Sequence, residues 1–245
     1  MMYSFGCSFS TKQWLTIDKF WVDILAKKLG TDYEAWGAGG GDHLETFHRL
    51  SWSMKDFKEG DLIIYQFTQH CRVGFYHENY YISSAGIDNY GETIKNVKYL
   101  QDYMGIDKTD EDYLTLLKFV NRWAPDQMFY HYWRVWNTLT FFEEKFRIKF
   151  VLLFLDQEWT KIIPKRHYSH IPMFPITKED RPYHYDFKSE ENLGIQSFSW
   201  ENGIAMGQED WHTDPSWHPE DGHPGEQAHQ RIAEIVYEHI IKHED

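Results

Sequence analysis

Hydrophobic residues recur along this chain in two spacings, and their order predicts an α/β fold. Short apolar runs bounded by turn residues are typical of buried strands, and apolar residues three or four apart are typical of helices with one buried face. The strand-like runs are residues 2–6, 32–36, 62–67 and 149–155, and the helix-like segments are 17–29, 42–57, 109–146 and 223–241. Strands that alternate with helices indicate a mostly parallel sheet with helices packed on it.

Two stretches interrupt the alternation. Residues 73–108 and 156–212 are rich in polar and aromatic residues and show little periodicity. Connections of this length are uncommon in compact domains unless they serve a function. We therefore predict one domain, residues 1–245, that carries helical and loop insertions in these two places.

Composition and charge narrow the classes of function. A formal net charge of −13 argues against nucleic acid, whose phosphates need a basic face. No stretch approaches the roughly 18 apolar residues of a membrane span, and no signal-peptide pattern marks secretion. Two cysteines, Cys7 and Cys71, cannot build a disulfide framework. We expect a cytoplasmic protein that acts on a small molecule.

Small and polar residues follow three of the predicted strands. In a parallel sheet these carboxyl ends gather the active groups. The first strand is followed by Gly6-Cys7-Ser8, the second by the glycine-rich segment 37–41, and the third by residues 66–72. Ser8 on a tight turn is a candidate nucleophile, and backbone N–H groups of the turn and the glycine segment are suited to stabilise an oxyanion. Cys7 is an alternative nucleophile, although packing is its simpler role.

The histidine-rich segment before the last helix offers a general base. Three of the 14 histidines, His212, His218 and His223, fall within twelve residues, where an even distribution would place fewer than one. Asp221 and Glu220 closely precede His223, and a carboxylate so placed can fix the imidazole tautomer. The alternative is that Asp221 caps the last helix while His223 packs against it.

Four ordered segments resemble the blocks of the SGNH (GDSL-like) hydrolases: FGCSFS, WGAGGGD, DLIIYQFTQHCR and EDGHPGEQAH. The resemblance, to a GCSF-type variant of the family, implies a flavodoxin-like three-layer sandwich. It also implies hydrolysis of acyl esters by a Ser-His-Asp mechanism without metal or cofactor. By position, it implies Ser8 as nucleophile, His223 as base and Gly40 as an oxyanion donor, with Gly41 one register away. The resemblance covers both ends of the chain and the strand core.

The chain departs from the family pattern in three places. A cysteine stands where the first block has aspartate. The third block normally ends in G-x-N-D, and His70 here aligns with the asparagine as a candidate oxyanion donor, with Gln69 as a neighbouring alternative. The family aspartate usually lies three residues before the histidine, where this chain has Glu220. We choose Asp221 by residue type and keep Glu220 as the alternative.

Substrate recognition leaves weaker signals. Arg72 follows the third strand and is a candidate to bind an anionic substrate group, with a solvated ion pair as an equal alternative. The family resemblance implies small acyl groups on carbohydrate or lipid, and the aromatic residues of the two insertions favour a carbohydrate, because flat rings stack on sugars. We interpret the helix around Trp133 and Trp136 as core packing rather than a ligand platform.

Two other functions stay open beside the esterase. One is a metal-dependent hydrolase, because His212, Asp214, His218, Asp221 and His223 supply nitrogen and oxygen ligands, although their spacing matches no zinc motif. The other is a non-catalytic binding protein on a degenerate SGNH fold, which the altered third block and the aromatic insertions motivate. The esterase leads because all four segments fall where the predicted sheet places its carboxyl ends or its final helix.

Overall fold

Strands and helices alternate in the computed structural model of this protein, which describes residues 1–11, 20–38, 41–68, 73–77, 80–84, 111–155, 159, 162–172, 174–175, 191–192 and 226–243. The strands are β1 (Met2–Cys7), β2 (Tyr33–Ala38), β3 (Leu62–Phe67), β4 (Val73–His77), β5 (Tyr80–Ser84), β6 (Lys149–Phe154), β7 (Phe174–Pro175) and β8 (Glu191–Asn192). The helices are α1 (Trp21–Leu29), α2 (His43–Ser53), α3 (Glu111–Phe146) and α4 (Glu226–Lys242). Short 3₁₀ segments cover Ser8–Ser10, Met54–Asp56 and Lys165–His170.

Four parallel strands form the central sheet in the order β2-β1-β3-β6. This order, in which the chain starts inside the sheet and builds outward on both sides, is that of flavodoxin-like folds. The predicted α/β three-layer class is confirmed, and the central sheet is parallel throughout.

Alternate side chains of the strands enter two separate cores, because successive residues of a strand point to opposite faces. On one face Met2, Ile64 and Leu153 pack with α1 and α4. On the other, Phe5 and Tyr65 pack with α2 and α3. The first core is mainly aliphatic and the second mainly aromatic. Together they make the sheet the middle of three layers.

Helix ends follow the signals in the sequence. The Asp42 carboxylate caps α2 by accepting hydrogen bonds from the backbone N–H groups of Leu44 and Glu45, at 2.8 and 3.0 Å. Gly30 ends α1 in the left-handed conformation, with φ of 63°, as its position predicts. The α2 helix is shorter than the predicted 42–57, because its last turn tightens into the 3₁₀ segment Met54–Asp56.

The two interrupting stretches contain strands that the sequence pattern did not predict. Strands β4 and β5 form an antiparallel hairpin within 73–108, and β7 pairs with β8 within 156–212. Within the predicted helical segment 109–146, residues Glu111–Phe146 form one helix, α3, rather than several. Trp133 and Trp136 of α3 pack against the aromatic core, which confirms their interpretation as packing residues. None of the helices in the described part of the chain has the length and apolarity to cross a membrane.

Candidate functional site

The site begins where β1 and β3 end side by side. In a sheet of this strand order the chain winds in opposite directions from this point, and ligands bind in the crevice outside the carboxyl ends of these two strands. β1 ends at Cys7, and the 3₁₀ turn Ser8–Ser10 follows at once. The backbone of the predicted nucleophile, Ser8, therefore begins the turn at this crevice.

Two glycines let that turn lie directly on the sheet. Gly6 of β1 and Gly37 of β2 are partners in the parallel register. A Cβ atom on Gly37 would lie 2.6 Å from the carbonyl carbon and oxygen of Ser10 and 2.7 Å from the carbonyl oxygen of Cys7. Real side chains do not approach backbone atoms so closely. Glycine at position 37 is therefore required by the close approach of the turn to β2.

Side chains anchor the residues on both sides of Ser8. The Ser10 hydroxyl donates a hydrogen bond to Oε1 of Gln66, and Nε2 of Gln66 lies 3.6 Å from Sγ of Cys7. The indole N–H of Trp21, in α1, donates to the Phe9 carbonyl at 2.6 Å. Because Cys7, Ser10 and Gln66 are fully buried, these contacts hold the turn away from competing water.

A second polar group lies at the end of β3 on the opposite face of the sheet. His43 is the first residue of α2, and its Nδ1 lies 3.3 Å from the Thr68 hydroxyl. The Trp159 indole N–H donates to the Thr68 carbonyl at 2.9 Å, and its ring meets the His43 ring edge to face. All three side chains are buried. They fasten the start of α2 to the end of β3 and place an imidazole at the carboxyl edge.

A buried network extends from His43 into the aromatic core. The centroid of the His131 ring lies 4.9 Å from that of His43. Arg134 donates from Nη2 to Nδ1 of His131 at 2.8 Å, so Nε2 carries the ring hydrogen and donates to the Tyr65 hydroxyl oxygen at 3.0 Å. Burial, together with the neighbouring His43 and Arg134, holds the pKa of His131 well below its ordinary value. Burial also holds the pKa of Tyr65 well above its usual range. Both groups are thus neutral, and they tie α3 to the sheet.

The structure describes only part of the site that the sequence predicts. Ser8 is placed by its backbone, and Gly41 closes a turn by donating its backbone N–H to the Ala38 carbonyl at 3.0 Å. The other predicted site residues lie outside the described residues: Gly40, Gln69, His70, Arg72, Glu220, Asp221 and His223. The histidine-rich segment lies there too. The Ser-His-Asp triad and the complete oxyanion hole therefore stay predictions.

Metal ligation has no support from the described part of the chain, where no three His, Cys, Asp or Glu side chains are grouped to hold an ion. The five ligands proposed for the metal-dependent alternative all lie outside it. That alternative consequently stays a prediction as well.

Sequence reasoning missed the roles of Gln66, His43 and Thr68. A usable signal existed for Gln66, since it is the one polar amide in the apolar run LIIYQF. A polar side chain inside a doubly buried strand needs a hydrogen-bonding partner. No comparable pattern marks His43, because its contacts with Thr68 and Trp159 span 25 and 116 positions of the chain.

Comparison with known proteins adds no family assignment. No protein-family model matches the chain, and no curated protein matches it at a significant level. Support for a function therefore comes from the four sequence segments and from the position of Ser8 in the sheet.

Proposed function

We propose that this protein is a serine esterase of the SGNH type, with Ser8 as its nucleophile. The observation that carries the proposal is the place of Ser8, directly after β1 at the crevice between β1 and β3. Ligands bind there in folds of this strand order. The turn is held firmly by buried contacts to Gln66 and Trp21, and a nucleophile needs such a rigid support.

The reaction follows from the roles assigned to the site residues. The Ser8 hydroxyl attacks the ester carbonyl while His223, oriented by Asp221, takes its proton. The backbone N–H groups of Ser8 and Gly40, with His70 as a third donor, stabilise the oxyanion. His223 then returns the proton to the leaving alcohol, and water hydrolyses the acyl-enzyme by the same route. Arg72 binds an anionic group of the substrate.

The aromatic insertions support a carbohydrate as the alcohol part of the ester. Segments 73–108 and 156–212 come after β3 and β6 in the chain, and these two strands end at the same carboxyl edge as β1, which Ser8 follows. Flat side chains placed beside the crevice would stack on sugar rings. The cytoplasm stays the expected compartment, because two cysteines suit a reducing setting.

Ser8→Ala tests the assignment. We expect the purified wild-type protein to hydrolyse short-chain acyl esters and the variant to lose at least about 10³-fold in kcat, because removing the nucleophile leaves only binding and oxyanion stabilisation. Ser51→Ala is the matched control: its exposed hydroxyl bonds to the Phe47 carbonyl of α2, remote from the turn. Hydrolysis that survives in Ser8→Ala as in Ser51→Ala would show that the assignment is wrong.

A further inference from the structure

We propose that Gln66 is the residue that positions Ser8 for reaction. Its side-chain amide contacts Cys7 and Ser10, the residues on either side of the segment that contains Ser8. The inference rests on the proposed function, because it takes Ser8 as the nucleophile.

The chemistry of the position sets Gln66 apart from its neighbours. It lies on the face of β3 that also carries Ile64, in the mainly aliphatic core, and its side chain is fully buried. Burial of a primary amide carries a large desolvation cost, and hydrogen bonds only roughly offset it. An apolar residue of similar shape would serve stability about as well. The amide differs from an apolar side chain because its contacts are directional. Its hydrogen bond with Ser10 and its contact with Cys7 fix the turn at two points relative to β3.

The surrounding chain leaves space for this arrangement. A Cβ atom on Gly6 would lie 2.6 Å from both Gln66 Oε1 and the Ser10 hydroxyl oxygen. Glycine at position 6 therefore makes room for the hydrogen bond between these two side chains. On its other side the turn rests on Gly37. The turn is thus held between the backbone of β2 and the side chain of β3.

Precise placement matters for a nucleophile more than for a structural turn. A displacement of about 1 Å in a reacting group can lower the rate about 100-fold. We expect loss of the Gln66 contacts to leave the sheet and both cores in place but to loosen the turn that carries Ser8, which keeps only its contacts with Trp21 and Gly37. A positioning role therefore predicts a large effect on kcat beside small effects on KM and on stability.

Gln66→Met is the decisive variant, because methionine matches the length of glutamine and makes neither contact. We expect kcat for a short-chain ester to fall about 100-fold while KM changes less than about threefold. We also expect the backbone amides of residues 8–10 to exchange hydrogen about tenfold faster, because the local opening free energy falls by about the value of one hydrogen bond. Ser53→Ala, which removes a buried hydroxyl at the far end of α2, is the control and should change neither kcat nor the exchange rates.

Gln66→Glu provides a rescue with a pH signature. A protonated glutamic acid can accept from Ser10 and donate to Cys7, as glutamine does, whereas the ionised form cannot donate. Burial in an aliphatic core raises the pKa of such a carboxyl. The ratio of variant to wild-type kcat should therefore rise as the pH is lowered. A merely structural role predicts that the ratio rises only as far as the melting temperature of the variant rises, whereas a positioning role predicts the same rise at a temperature where both proteins stay folded at every pH.

The results separate this inference from the proposed function. A wild-type protein that hydrolyses no ester would contradict the proposed function. The hydrogen-exchange rates of the backbone amides of residues 8–10 would still show whether Gln66 fixes the turn. If Gln66→Met does not fold, Ser10→Ala, which removes one of the two contacts, carries the same test. Unchanged kcat and unchanged exchange in a folded variant would overturn the positioning role.

Discussion

Two groups of polar side chains, at opposite edges of the central sheet, differ in how deeply they are buried. At the carboxyl edge, Ser10, Gln66 and Thr68 are fully buried and hydrogen-bonded to other side chains. At the amino edge, the Arg147 guanidinium pairs with the Glu59 carboxylate at 3.0 Å, with 81% and 69% of the side chains exposed. Buried polar groups demand fixed partners, whereas exposed pairs are readily replaced by water. The carboxyl edge is thus built for precise geometry.

Glycines at the two edges show the same contrast. Gly37, at the carboxyl edge, has no space for a Cβ atom, because backbone atoms of the Ser8–Ser10 turn would lie within 2.7 Å of it. Gly60, at the amino edge, has open space around it and a φ of 85°. One glycine is required by a close approach and the other by its backbone conformation. Substituting each one separates the two requirements.

Among the substitutions that test this comparison of the two edges, Gly37→Ala should have the largest effect. Its new methyl group would push the turn away from β2, which we expect to cost about 1–3 kcal/mol in the free energy of unfolding. It should also lower ester hydrolysis at least about tenfold, because Ser8 moves with the turn. Gly60→Ala should cost about 1–2 kcal/mol through its positive φ and leave kcat unchanged. Urea unfolding and kcat, measured on Gly37→Ala and Gly60→Ala, test both predictions.

Equal losses of activity in the two glycine variants would contradict the comparison. They would mean that hydrolysis follows overall stability and not the position of the turn.

A smaller effect is expected from pH, acting on the buried imidazole of His131. Its pKa is held well below the ordinary value of about 6.5, so between that value and its folded value the unfolded state binds a proton that the folded state does not. The free energy of unfolding should therefore fall as the pH drops below about 6.5, and this stabilisation is fully present above that pH. His131→Gln, whose amide does not titrate, should flatten the slope by at most about 1.4 kcal/mol per pH unit.

Urea unfolding of both proteins, measured from about one pH unit above the ordinary histidine pKa to about one unit below it, gives these slopes. An identical slope in the variant would show that His131 is not buried in its neutral form.

The smallest effect is expected at the amino edge from Glu59→Gln. The substitution removes the charge that pairs with Arg147 but keeps the side-chain length. Because both side chains are mostly exposed, the free energy of unfolding should change by less than about 0.5 kcal/mol, and kcat should not change. A loss comparable to that of Gly37→Ala, measured in the same urea titration, would show that this exposed ion pair matters as much to stability as the buried contacts at the carboxyl edge.

Much of the fold was predictable because its signals are local. The stop of α1 at Gly30 and the cap of α2 by Asp42 follow from residue types that are typical of helix ends. The apolar run of β3 likewise depends on neighbouring residues, and this strand was predicted. The hairpin of β4 and β5 was not, since the polar and tyrosine-rich segment 73–84 lacks a two-residue turn signal such as Asn-Gly.

The sequence predicted a site residue only where that residue directly follows a recognisable strand. Ser8 was found because it follows the first apolar run. The contact of Gln66 with Ser10 spans 56 positions and depends on β1 and β3 being neighbours in the sheet. Spacing in the sequence does not reveal such pairs. A lone amide in a buried strand indicates only that a hydrogen-bonding partner exists, without identifying it. The pairing of Ser8 with His223 is of the same long-range kind and stays a prediction.

The most direct test of the central claim is the residue that a fluorophosphonate probe modifies. The purified wild-type protein is treated with the probe, digested, and mapped by mass spectrometry, with Ser8→Ala treated in parallel. The account predicts a single stoichiometric adduct on Ser8, which is absent from the variant. A folded protein that carries no adduct, or one whose adduct lies on another residue, would contradict it.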